Sequence, residues 1–233
     1  MRSEWINRRF KIFQKYTLPN LLKQSFQDFR IFILCGNKHK SITENLPWHP
    51  RLEIYHVEGE KRLTTPKRMS PASKVLGYDS IDTEYISITR IDSDDLFHLT
   101  LMEEIKNTIT VSNKRSVLMI KQYMVWDILM KYILFRKLSH SSPYHTHVFP
   151  RSIYKNWKDF SEQHYLNHRF AGSDLPLTKE ITGYKACHIR HDHNVSDIKK
   201  GGKIVSWHGN RITDKKMINE ILCGFGVEEA YKL

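Results

Sequence analysis

The chain has 233 residues, 40% hydrophobic and 12% aromatic, which suffices for one sizeable core and argues for one domain. Its 37 Lys and Arg outweigh 25 Asp and Glu to leave a net charge of +12, pointing to anionic partners: phosphorylated small molecules, anionic lipid surfaces or polyanions. Cys35, Cys187 and Cys223 have no paired spacing, which excludes a disulfide framework and a Cys-rich zinc module. Neither an apolar leader core nor a run of about 18 apolar residues occurs, so a cytoplasmic protein, soluble or peripheral at a membrane, is expected.

Trp5, Ile6, Phe10, Phe13 and Tyr16 recur at helical spacing among Arg8, Arg9, Lys11 and Lys15, so the chain is predicted to open on a basic amphipathic helix. Thr17 reads as the cap of a second short helix, with Pro19 near its first turn and an end near Ser25. Phe29 to Cys35 is apolar and β-prone and stops at Gly36 and Asn37, the pattern of a buried strand; Leu52 to Val57 reads as another. From Glu58 to Ser80 the apolar pattern lapses into Pro, Ser, Lys and Arg, as in a long surface segment. Tyr85 to Ile91 is β-branched and aromatic, and apolar residues at 97, 101, 102, 105 and 109 predict a helix after it, giving the order strand, acidic turn, helix. Ser116 to Ile120, Tyr123 to Leu129 and Tyr132 to Phe135 carry strand signals, the last two alternatively forming one helix. Beyond Pro150, helical pattern covers 153–167, a strand 184–190 and a terminal helix 215–222. The alternation of helices and strands predicts an α/β fold.

The turn Asp92-Ser93-Asp94-Asp95 concentrates carboxylates directly after an apolar strand. Their mutual repulsion is relieved by a hard divalent cation, Mn²⁺ or Mg²⁺, which accepts oxygen ligands and is commonly shared between carboxylates and substrate phosphates. Such an ion neutralises a diphosphate leaving group, and ligands of open α/β sheets lie beyond the carboxyl ends of strands. The plain alternative is a helix N-cap.

Three stretches resemble the rhamnosyltransferase family of the GT-A glycosyltransferases. Trp5-x-x-x-Arg9 with Phe13, Thr17-Leu18-Pro19-Asn20-Leu21, Gln24 and Asp28-Phe29 resembles the family's opening; Thr89-Arg90-Ile91-Asp92-Ser93-Asp94-Asp95 resembles its signature; His191-Asp192-His193-Asn194-Val195 resembles its late His-x-x-Asn segment. The resemblance implies a GT-A-like domain over 1–195, a Rossmann-type mixed sheet flanked by helices, with residues 196–233 as an extension without a counterpart. The fold normally begins with a strand whose loop grips the nucleotide base, whereas here the opening helix follows Met1 almost immediately, so either that strand is missing or another segment takes its place. Also implied are a nucleotide-diphosphate sugar donor, a glycan or lipid-linked acceptor and transfer of rhamnose or another hexose. Asp92 and Asp94 would sit at the metal and donor, His191 as a late metal or diphosphate ligand, Arg90 near donor phosphate or base, and Asp95 and Arg9 among the donor-binding residues.

An inverting transferase needs a carboxylate base within hydrogen-bond reach of the acceptor hydroxyl. Asp127, Asp159, Asp174 and Glu180 are candidates, and Asp174, in the loop Gly172-Ser173-Asp174-Leu175-Pro176, is the one chosen. His188, His191 and His193 beside Asp192 would also suit zinc, without the Cys pair or helical His-Glu-x-x-His arrangement typical of it. His145, His147, His164, His168 and His208 read as surface or hydrogen-bonded residues. Lys38, Lys40, Lys61, Arg62, Lys67 and Arg68 offer a phosphate- or polyanion-binding surface, or only a solvated face. Trp126, Tyr132, Phe135 and Trp157 suit sugar stacking or core packing, and Gly201-Gly202-Lys203 lacks the spacing of a P-loop. Nucleic acid is not the expected partner. The rival readings are a basic nucleic-acid-binding protein, recognised by steep salt dependence, and an inactive glycan-binding scaffold.

Overall fold

The structure, a computed structural model, describes residues 2–57, 82–110, 113–138, 142–155, 178–191 and 210–228. Helix α1 (Arg2–Ile12) continues through a π-helical turn (Phe13–Thr17) into α2 (Leu18–Leu22). Pro19 has no N–H to give the carbonyl four residues back, and just before it the ladder widens so that the Leu18 N–H reaches the Phe13 carbonyl. Thr17 is therefore not the predicted cap. It is itself helical, and its hydroxyl lies 3.3 Å from the Ser93 carbonyl. Buried Asn20 ties this segment to the rest of the molecule, donating to the carbonyls of Phe97 and Phe225 and accepting from the Phe97 N–H.

Strands β1 (Ile31–Gly36) and β2 (Leu52–Val57) pair in parallel, Ile31 opposite Leu52. A 3₁₀ turn (Asn37–His39) and α3 (Lys40–Thr43) connect them, making a small βαβ unit. The predicted buried strand is only half-buried after Ile31, because the pair forms its own two-stranded sheet.

The chain passes repeatedly between the two larger sheets. The first orders β3 (Tyr85–Thr89), β8 (His145–Pro150), β5 (Ser116–Ile120) and β9 (Thr178–Ile181). The second orders β11 (Arg211–Ile212), β7 (Tyr132–Lys137), β6 (Gln122–Asp127), β10 (Ala186–Arg190) and β4 (Asp95–Phe97). Only Lys121 separates β5 from β6, so the chain passes directly between them. Helices α4 (Leu101–Thr108), α5 (Arg151–Tyr154) and α6 (Lys215–Cys223) flank the sheets, giving a mixed α/β domain.

The acidic turn is followed by β4 before the helix begins, because Leu96 and Phe97 pair antiparallel with Cys187 and Ala186 and thereby become core. The stretch 122–137 is a hairpin rather than a helix, turned by Lys131 at φ 55°. Four strands escaped the sequence reading: β4, β8, β9 and β11. Strand β8 is buried throughout yet reads as polar, since it carries His145, Thr146 and His147. Of the helix predicted over 153–167 only the α5 end is described; the remainder, and the segment 58–80, lie outside the described residues.

One core cluster gathers Phe97, Leu101, Ile105, Leu118, Val125 and Leu134, and a second gathers Tyr16, Leu96, Trp126, Ile189, Leu222 and Phe225. Trp126 and Tyr132, offered as sugar-stacking residues, are core, whereas Phe135 is partly exposed against Tyr184. Residues 210–228 belong to the same packed body: α6, capped by Asp214 on the Met217 N–H at 2.9 Å, buries Ile218 and Leu222 in the second cluster.

Candidate active site

The β3 chain end delivers Arg90 and Ile91 to a tight turn, closed by the Asp95 N–H on the Asp92 carbonyl at 3.1 Å. Pairing of β4 with β10 puts Asp95 opposite His188, and His191 follows directly from the end of that strand. The turn thereby sorts its three carboxylates into different environments.

Asp92 is the open one, 46% exposed, with one oxygen accepting from the Arg90 guanidinium at 3.0 Å. Asp94 is 4% exposed; one oxygen is ion-paired with Arg9 and the other accepts from His191 Nε2 at 3.2 Å. Arg9 spans the turn, since its Nε also donates to Ser93 Oγ at 2.8 Å, and its guanidinium lies over the Trp5 ring at 5.2 Å. Asp95 faces the interior, with Oδ1 2.9 Å from His188 Nδ1 and Oδ2 accepting from the Tyr144 hydroxyl at 3.0 Å.

These environments push the two buried carboxyls in opposite directions. Burial opposes ionisation of Asp94, but the His191 hydrogen bond and the positive charges of Arg9 and the two histidines outweigh it, so its carboxyl titrates below the ordinary range. An ionised Asp94 only accepts, so His191 Nε2 carries the proton of that hydrogen bond. For Asp95 burial dominates: despite His188, and with Asp94 and Asp92 adding like charge, its carboxyl is raised. Burial first, then the charge of Asp95, drives the Tyr144 hydroxyl well above its ordinary value. The turn thus holds one buried carboxyl whose pKa is lowered, one whose pKa is raised, and one presented to solvent.

Arg9, Arg90, Asp92, Asp94, Asp95 and His191, separated by up to 182 positions, are brought together. Tyr144 joins them without a signal in its Ser-Ser-Pro-Tyr context. Asp174, Asp192 and His193 lie outside the described residues. Asp127, a candidate base, is turned to another use: it is buried, its Oδ1 accepts from the N–H groups of Leu129 and Met130, and its Oδ2 accepts from Arg190. Glu180 pairs with Lys121 at 3.3 Å. Lys38 and Lys40 are exposed around the 3₁₀ turn and α3.

Among the described residues, no group of three His, Cys, Asp or Glu side chains forms a metal cage. The donor set nevertheless suits an ion of one kind. Asp92 and Asp94 could offer oxygen to Mn²⁺ or Mg²⁺ when substrate phosphates and water complete the shell, and His191 could offer nitrogen only on giving up the Nε2 proton it donates to Asp94. The commitment of Asp95 to His188 and Tyr144 leaves it outside that set.

A family model described as "putative rhamnosyl transferase" matches residues 1–203. The chain belongs to this family. Membership brings a sugar-transferase activity in general terms, and the matched span includes every side chain of the cluster just described. No curated protein matches the chain.

Proposed function

We propose that the protein is a GT-A-type transferase that moves a sugar, rhamnose or another hexose, from a nucleotide-diphosphate donor to a glycan or lipid-linked acceptor, with the acidic turn as its donor site. The observation that carries this is the pairing within one turn of a solvent-facing carboxylate, Asp92, with a buried carboxylate, Asp94, kept ionised by Arg9 and His191. The βαβ unit at 31–57 supports a Rossmann-type reading of the fold.

Asp92 and Asp94, with His191 beside them, would hold Mn²⁺ or Mg²⁺, which when bound supplies Lewis-acid neutralisation of the diphosphate leaving group. Arg90 is 27% exposed and its pair with half-exposed Asp92 lies at the surface, so a donor phosphate oxygen can compete for its guanidinium. Arg9 fixes the turn from α1, its planar fork holding Ser93 and Asp94 at once. Asp95, raised in pKa and enclosed, positions the turn through His188 and Tyr144 rather than meeting the donor. Asp174 is the proposed base for the acceptor hydroxyl. The site would work on the cytoplasmic side, where nucleotide sugars and a basic protein meet.

Calorimetric titration of UDP, GDP and dTDP with and without Mn²⁺ tests the proposal. Binding of one of them that requires the ion and disappears in Asp92→Ala supports it and identifies the base. Binding of all three that ignores both the ion and the substitution overturns it, and a steeply salt-dependent affinity for RNA or DNA in its place would favour a nucleic-acid-binding protein.

A further inference from the structure

The β6–β7 hairpin ends in the turn Ile128–Lys131, where Leu129 is 59% and Met130 67% exposed. This exposure is built in. The buried Asp127 carboxylate accepts the N–H groups of Leu129 and Met130 at 3.1 and 2.7 Å, while Arg190 holds its other oxygen at 2.9 Å. Ile128 packs on the core and its N–H bonds the Arg190 carbonyl. A buried carboxylate and a long-range ion pair therefore fix the backbone of a turn that carries two exposed apolar side chains.

The neighbouring strand brings more of the same character to this end of the sheet. β11 runs antiparallel to β7, Arg211 opposite Leu134 and Ile212 opposite Ile133, so it advances toward the turn and α6 starts beside it. The first turn of α6 carries exposed Lys215, Lys216 and Met217, the last 49% exposed, and Lys131 is exposed at the hairpin turn itself. Leu129, Met130 and Met217 are half of the six most exposed large apolar side chains among the described residues. Of the acids nearby, Asp214 is engaged as the α6 cap, and Glu220 lies one turn further along the helix.

We propose that this end of the sheet, the hairpin turn with the first turn of α6, docks on an anionic lipid bilayer. Leu129, Met130 and Met217 enter the interfacial region, while Lys131, Lys215 and Lys216 meet the headgroup charges. Exposed apolar residues ringed by lysine on a chain of net charge +12 match that surface in both hydrophobicity and sign. Among the described residues no helix is long and apolar enough to cross a membrane. The proposal is independent of the acidic turn: loss of nucleotide binding leaves it standing, and loss of lipid binding leaves the donor site standing.

Co-flotation with vesicles of phosphatidylcholine alone and of phosphatidylcholine with phosphatidylglycerol tests it, using the full chain. The wild type is expected to float with the anionic vesicles only, and the double variant Leu129→Ser/Met130→Ser to lose affinity by about tenfold or more with an unchanged melting curve. Lys215→Glu/Lys216→Glu should weaken binding and reduce its salt dependence. A Leu129→Trp variant should shift its emission to the blue on anionic vesicles. No flotation of the wild type, or flotation that the double serine variant does not reduce, overturns the proposal. So does a wild-type dimer in lipid-free solution that the serine variant dissociates, which would assign the face to a second copy of the chain.

Discussion

Two turns in this molecule close on buried aspartates, and they use them differently. In the hairpin turn, Asp127 is satisfied largely by the backbone N–H groups of Leu129 and Met130 in its own turn, with Arg190 completing the set. In the acidic turn, Asp94 and Asp95 are satisfied by side chains from distant elements: Arg9 of α1, His188 and His191 at β10, and Tyr144 before β8. A carboxylate held by local backbone is a fixture of the fold. One held by ionisable side chains from several elements responds to charge, because each partner can rotate, titrate or exchange its contact for a ligand atom. The open neighbour sharpens the contrast, since Asp92 has solvent access that no acid of the hairpin turn has.

The largest effects should come from removing the buried acids. Asp94→Ala leaves Arg9 and His191 facing each other without an anion, and is expected to cost about 3 kcal/mol in urea unfolding and to abolish nucleotide binding. Asp127→Ala is expected to cost a similar amount, about 3 kcal/mol, while nucleotide affinity in the folded fraction is unchanged. Equal losses of nucleotide affinity in both variants would erase the distinction between the turns.

A comparable effect is expected from acid. In β8, His147 is enclosed beside His145 and accepts from Arg115 at 3.1 Å. Burial first, then the charges of His145 and Arg115, lowers it from the ordinary 6.5 to about 2. Because the folded value lies below the unfolded one, the stability this neutral ring contributes is complete above about pH 6.5 and drains away as pH falls toward 2. Between pH 6.5 and 4.5 the loss from this group is about 2–3 kcal/mol. His147→Asn, which keeps an acceptor for Arg115 and cannot charge, should flatten that limb of the stability–pH curve.

Smaller effects separate holding from presenting. Arg9→Lys retains the charge but not the fork, and should cost about 1 kcal/mol with a several-fold loss of nucleotide affinity. Asp92→Asn should change stability by less than about 0.5 kcal/mol, since its surface pair with Arg90 contributes little, yet remove metal-dependent nucleotide binding. A stability loss as large as that of Asp94→Ala would place Asp92 among the fold fixtures instead.

Much of this was legible in the amino-acid sequence where local pattern and tertiary environment agree. The opening helix, β1, β2, β3, β5 and α6 all announce themselves by periodicity or by β-branched runs. β8 does not, because its histidines are buried through partners supplied by Arg115 and Ser142, which no local pattern reveals. β4 is hidden because three residues are too few to show alternation, and its pairing with β10 spans some ninety positions. At the site, the acidic turn could be found from spacing and family resemblance together. The division of labour within it could not, since only the fold shows that Asp92 faces solvent, that Asp94 meets Arg9 and His191, and that Asp95 turns inward to Tyr144. Asp127 illustrates the converse: an acid that fits the description of a base in the sequence, yet is consumed by its own turn.

Thermal unfolding of the wild type, Asp92→Asn and Asp127→Asn with Mn²⁺ and a saturating nucleoside diphosphate tests the central claim most directly. At a hundredfold excess over the dissociation constant, a ligand of the folded state adds about 2.7 kcal/mol. The account predicts that this gain appears in the wild type, persists in Asp127→Asn from a lower starting midpoint, and vanishes in Asp92→Asn, whose midpoint without ligand matches the wild type. A gain that survives in Asp92→Asn, or is lost in Asp127→Asn instead, would contradict the assignment of the donor site to the acidic turn.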